Sequence, residues 1–124
     1  MTSHKELIVW RKSIDLVKSV YEITKNFPTN EQFGLTSQIR RCAVSIPSNI
    51  AEGCGRNSEN ELIHFLHITL GSAAELETQI ILSEELEFIS KEKSLELQFS
   101  ILEIIKMTSA LIKSIKTRNN QINN

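Results

Sequence analysis

Four glycines and two prolines in 124 residues leave little material for tight turns. A fold of many short strands needs such turns every few residues, so sandwiches and barrels are excluded. Aromatic residues make up only 6% of the chain, which leaves a core built mainly from Leu and Ile. No apolar run approaches the ~20 residues that span a bilayer, and no leader-like apolar segment opens the chain. Cys42 and Cys54 lie twelve positions apart in one predicted helix, a rise of roughly 18 Å at ~1.5 Å per residue, beyond disulfide reach. Two reduced thiols suit the cytosol, so a cytoplasmic protein with no membrane contact is expected. Catalytic spacings are also missing: there is no Ser-His-Asp, Cys-His or phosphate-loop pattern, and the Gly53 and Gly55 pair follows no strand. They read as helix-ending glycines able to take a left-handed conformation. Glu61 and His64 form a single Glu-x-x-His, where a di-iron bundle needs two such pairs. Neither an enzyme nor a cofactor is expected.

The chain does have helical periodicity. At 124 residues, with 23% charged and 40% apolar residues, it is one ordinary globular domain. The first helix starts between Ser3 and Trp10 and ends near Asn26, before Pro28. It carries two apolar stripes, Trp10-Ile14-Val17-Tyr21 and Leu16-Val20-Ile23-Phe27. Thr29 and Gln32 offer a capping box for the second helix, which runs to about Gly53 with a bend expected at Pro47. Ser58 caps a third helix from Glu59 to about Glu87, with its seam at Leu62, Leu66, Thr69, Ala73, Leu76 and Ile80. Gly71 in its small middle predicts a close helix approach. Ser90 caps a fourth helix to about Lys116, with one seam at Leu97, Ile101, Ile104, Thr108, Leu111 and Ile115. Leu95, Leu102, Ile105 and Ile112 form a second seam beside it. The expected fold is all-α, an antiparallel up-down-up-down four-helix bundle over residues 1–118, with a polar frayed tail at 119–124.

The second helix has three distinct faces. Leu35, Ile39, Cys42, Ala43, Ile46, Ile50 and Cys54 form a core face. Gln38, Arg41, Ser45, Asn49 and Glu52 form a polar strip, and Arg40, Val44, Pro47 and Ala51 a small-residue one. The polar strip can be a binding site, a subunit interface or an internal network reaching Glu75 or Glu77 of the third helix. The extra faces and duplicated seams exceed what one bundle buries, which predicts a closed symmetric oligomer.

The net charge of −1 conceals a segregation: residues 1–51 carry +3, 52–103 carry −8 and 104–124 carry +4. Arg40, Arg41, Arg56, Lys106, Lys113 and Lys116 are the candidate phosphate-binding cations.

VWRKSIDLV, FGLTSQIRRCAVSIPSNIAEGCGR and ELIHFLHITLGSAAELETQI together resemble the bacterial four-helix bundle proteins encoded in intervening sequences of 23S ribosomal RNA genes, often called the S23 ribosomal protein family. Gln38 to Gly53 carry the most specific part of the match. The resemblance implies a bundle that assembles as a homopentamer and has no catalytic activity. It also implies similarity to the accessory variability protein of diversity-generating retroelements, which binds nucleic acid and a reverse transcriptase. The carried-over positions are Arg40, Arg41, Ser45, Asn49 and Glu52. Two functions follow as expectations: an oligomer that binds RNA or DNA through clustered Arg and Lys, or a protein-interaction scaffold with no nucleic-acid contact.

Overall fold

A Ser hydroxyl placed just before a run of helix formers fixes where a helix can begin, and two of the long helices start this way. The Ser58 Oγ accepts from the Glu61 N–H at 3.1 Å, and the Ser90 Oγ accepts from the Lys93 N–H at 3.1 Å. The computed structural model describes the backbone of residues 3–123 and the side-chain surroundings of residues 3–120. Its four helices are α1 (Ile8–Thr24), α2 (Leu35–Cys54), α3 (Glu59–Glu85) and α4 (Lys91–Asn123), with no strand among the described residues. Each helix packs on its chain neighbours, and α4 closes back on α1, while no Cα of one helix comes within 8 Å of a Cα of its diagonal partner among the described residues. Paired positions rise in one helix as they fall in the next. Thus Arg40 reaches Thr24 while Ala51 borders the same groove as Trp10, and Gly53 abuts Leu62 while Cys42 reaches Ser72. Lys12 meets Glu103 while Ile23 borders the same groove as Lys93, and Arg118 reaches Glu59 at the end of α3 and α4 opposite the turn that joins them.

The predicted seams of α3 and α4 form the core with the Leu16-Val20-Phe27 stripe of α1 and the core face of α2. Their burial is what holds the bundle together, at about 25 cal/mol per Å² of apolar surface removed from water. The other α1 stripe is only partly covered, and Leu95 and Leu102 of the second α4 seam are exposed.

Several boundaries differ from the sequence expectation. Ser3 caps a short 3-10 turn at His4–Glu6, and α1 proper begins at Ile8. The Thr29 and Gln32 box does not open α2, because Thr29–Glu31 form a 3-10 turn of their own. The Glu31 carboxylate instead accepts the Leu35 N–H at 3.0 Å. Gly34 makes this possible, since a Cβ there would lie 2.8 Å from Glu31 Oε1. α2 is unbroken through Pro47. α4 stays helical past Lys116 to Asn123, with no Gly or Pro in that stretch to stop it, and Asn124 lies outside the described residues.

Of the two glycines expected to end α2, Gly55 is its C-cap, while Gly53 lies within the helix. Neither Gly53 nor Gly55 is left-handed; Glu87, at φ 63°, is the residue that takes that conformation. It ends α3 in a Schellman motif, in which Phe88 N–H donates to the Ser83 carbonyl and Glu87 N–H to that of Glu84. Close helix approach occurs at Gly53, where a Cβ would stand 2.9 Å from Phe65 Cβ and 3.0 Å from Leu62 Cδ1. At Gly71, where that approach was expected, a Cβ would meet nothing within 4 Å.

Candidate nucleic-acid interface

Arg40 and Arg41 are neighbours in sequence, but a helix turns them about 100° apart, so they meet different surroundings. Arg40 leans onto α1: its Nε donates to Thr24 Oγ1 at 2.8 Å, and its guanidinium lies 4.6 Å from the centre of the Tyr21 ring. It fastens α1 to α2. Arg41 is exposed and has no ion-pair partner among the described residues. Arg56, in the turn after α2, pairs with Glu52 at 2.7 Å and lies over the Phe65 ring. Lys106, Lys113 and Lys116 are exposed on α4, without an acidic partner within 4.0 Å among the described residues.

These six cations do not form one patch on a single copy. Arg40 and Arg41 sit where α2 meets the end of α1, on the helix diagonal to α4. Lys113 and Lys116 sit toward the far end, where Arg118 of α4 pairs with Glu59 at 2.8 Å. That pair lines a cavity of about 390 Å³ with Leu7, Cys54, Leu62 and Ile115. Lys106 and Lys113 are seven positions apart and so share one stripe of α4.

The polar strip of α2 bonds inward on its own helix. The Ser45 hydroxyl donates to the Cys42 carbonyl, and Asn49 Nδ2 donates to the Ser45 carbonyl at 2.7 Å. Gln38 and Glu52 are exposed, and no Arg41 bond to Glu75 or Glu77 forms. Glu75 lies beside Cys42 instead. Burial, with the Glu75 charge and hydrogen bond adding to it, pushes the Cys42 thiol up to about 12, and its Sγ contacts the Ser72 carbonyl at 3.1 Å. Burial also raises the Cys54 thiol. Both are free and protonated at neutral pH, the unreactive form of a thiol.

The small-residue strip behaves differently. Val44, Pro47 and Ala51 join Trp10, Ile14 and Val17 around an apolar groove of about 290 Å³ between α1 and α2. The half-covered α1 stripe therefore has a place: it is one wall of this groove. Phe99, 70% exposed on α4, belongs to no seam recognised from sequence. Its spacing of four from Leu95 and three from Leu102 was the available signal. No group of three or more metal-ligating side chains occurs among the described residues, and no described helix is long and apolar enough to cross a membrane.

No curated protein matches the chain. A crystal structure of a protein of unknown function from the S23 ribosomal protein family of Bacteroides thetaiotaomicron is similar to it. The two share 26% identity and superpose with a TM-score of 0.80, over 90% of this chain and 99% of that one. The family described as 23S rRNA-intervening sequence protein matches residues 5–110, which include α1, α2, α3 and most of α4. The chain belongs to the 23S rRNA-intervening sequence protein family.

Proposed function

We propose that the chain is a non-enzymatic, self-associating helical bundle, assembling as a pentamer in the cytoplasm, that holds RNA or DNA by its phosphates. One observation carries the nucleic-acid reading. From Ile104 onward the sequence has no acidic residue, and α4 there presents Lys106, Lys113 and Lys116, none with an ion-pair partner among the described residues. A lysine stripe of this kind neutralises phosphate without reading bases, and repeating it around an assembly multiplies the field. The two free thiols support the compartment.

Filter binding of RNA and DNA over a salt series tests it. Affinity should fall steeply with salt, and Lys106→Ala, Lys113→Ala and Lys116→Ala together should flatten the log–log slope by roughly 0.7–0.9 for each phosphate no longer neutralised. Salt-independent binding, or an unchanged slope in the triple variant, refutes it. Arg40 is left intact in this experiment because its loss would loosen the fold. The apolar groove between α1 and α2 favours a second reading, a protein-interaction scaffold without nucleic-acid contact.

A further inference from the structure

From two unlike faces at matching heights, we infer that copies of this chain join head to tail, the α4 ridge of one seating in the α1–α2 groove of the next. The inference rests on the self-association reading above and names the surfaces that perform it.

The ridge is Leu95, Phe99 and Leu102, which are 53%, 70% and 42% exposed. Their spacing of four and three places them on one stripe of α4. Glu96, Ser100 and Glu103 mark the flank of α4 that faces α1: Glu103 pairs with Lys12, while Glu96 and Ser100 share a groove with Ser19 and Ile23. The ridge lies about a third of a turn from that flank, on the α3–α4 side of the bundle. The groove is on the opposite side, walled by Trp10, Ile14, Val17, Val44 and Pro47, with Val44 39% exposed. A protruding apolar ridge and an apolar recess on opposite sides of one molecule make a heterologous contact, the kind that generates rings.

Height decides whether such a ring can close about an axis parallel to the helices. Lys12 stands level with Glu103, and Ser19 and Ile23 stand level with Lys93, Leu97 and Ser100. Ile14 and Val17 fall between those levels, as does Leu102, and Phe99 lies at the near edge of the second. Rotation alone therefore carries the ridge of one copy to the groove of the next, with no shift along the axis.

Charge agrees with the same pairing. The end of the bundle near these faces is where Phe27 packs on Phe88, at 5.5 Å between ring centres. On the groove side, Asp15 and Glu22 are paired with Arg11 and Lys25, and Glu31 caps α2, which leaves Lys18 and Arg41 without acidic partners among the described residues. On the ridge side, once Lys93 is paired with Glu96, Glu84, Glu85, Glu87 and Glu92 outnumber Lys91. Complementary rims of this kind steer encounter and disfavour like-to-like docking. An isologous dimer would instead set acid against acid or base against base.

Light scattering on wild type, Phe99→Glu, Val44→Glu and an equimolar mixture of the two variants tests the inference. Each variant alone should lose every species above the 14.1 kDa chain. The mixture should recover a dimer of twice that mass and nothing larger, because one intact groove can meet one intact ridge while the other pairing sets Glu against Glu. A mixture that stays monomeric, or a variant that keeps the wild-type mass, overturns the face assignment while self-association stands. A wild type that is itself a monomer sinks both. Circular dichroism checks the fold, and Leu102→Glu with Ser48→Glu replaces the first pair if helicity is lost.

Discussion

Replacing a helix glycine with alanine usually stabilises, by about 1 kcal/mol, because Ala loses less backbone freedom on folding. Two helical glycines here should respond with opposite sign. At Gly71 an added methyl meets nothing within 4 Å, so Gly71→Ala should gain roughly that 1 kcal/mol. At Gly53 the methyl would stand 2.9 Å from Phe65 Cβ, 3.0 Å from Leu62 Cδ1 and 3.3 Å from the Leu62 carbonyl oxygen. The Leu62 methyl can rotate away, but Phe65 Cβ and the carbonyl are fixed to the α3 backbone. Relief then requires α2 and α3 to separate at their tightest contact. Overpacking of this kind costs about 1–3 kcal/mol, which cancels the propensity gain of about 1 kcal/mol and leaves a net loss of up to about 2 kcal/mol. Thermal melts at fixed protein concentration should place Gly53→Ala below wild type by up to about 8 °C, at ~4 °C per kcal/mol for a chain of this length, and Gly71→Ala about 4 °C above it. A Gly53→Ala protein more stable than wild type would refute the close-approach argument. If Gly71→Ala is destabilising, something unseen must cover that side of α3.

Glu87 holds a left-handed backbone that disfavours side chains by roughly 1–2 kcal/mol, so Glu87→Gly should raise the unfolding free energy by about 0.5–1 kcal/mol after the greater freedom of the unfolded chain is counted; urea titration reads this directly. Arg40→Ala should cost about 1–2 kcal/mol by removing the Thr24 bond and the stacking on Tyr21, whereas Arg41→Ala should leave urea stability within about 0.5 kcal/mol. The Cys42 thiol titrates near 9 when unfolded and near 12 when folded, so above pH 9 the unfolded chain holds fewer protons and stability falls as pH rises toward 12. Denaturant midpoints from pH 8 to 11 should show that decline, and Cys42→Ser should remove its thiol-dependent part. In the native protein at pH 8, a thiol reagent should modify the half-exposed Cys54 before the buried Cys42.

The seams of α3 and α4 were legible because a heptad-like spacing over several turns admits one helix face and one phase. Ser58 and Ser90 were legible because a cap acts within three residues. What escaped the sequence depended on residues far away along the chain. The fate of Arg40 is set by Thr24 and Tyr21 in the preceding helix, and Gly53 reads as a turn residue until Phe65 is known to stand opposite it. The Thr29 box matched its pattern yet lost to Glu31, which the space at Gly34 let reach the first free N–H. Among the site residues, the six cations looked like one cluster because sequence does not show that α2 and α4 are diagonal. The second α1 stripe did announce a surplus face, although only the position of Val44 and Pro47 showed it to be a groove.

The order in which the helices touch also has a kinetic consequence. Because α1 meets α2, α2 meets α3 and α3 meets α4, nearly all tertiary packing closes a short loop, and only the return of α4 to α1 joins distant parts of the chain. Such local wiring places the chain among fast folders, in the microsecond-to-millisecond range. On the ribosome α2 and α3 can dock while α4 is still being made. The docking of α4 on α1, which brings Lys12 to Glu103, has to wait for α4 to be made, and until then one side of the nascent core stays open to chaperones and to other chains.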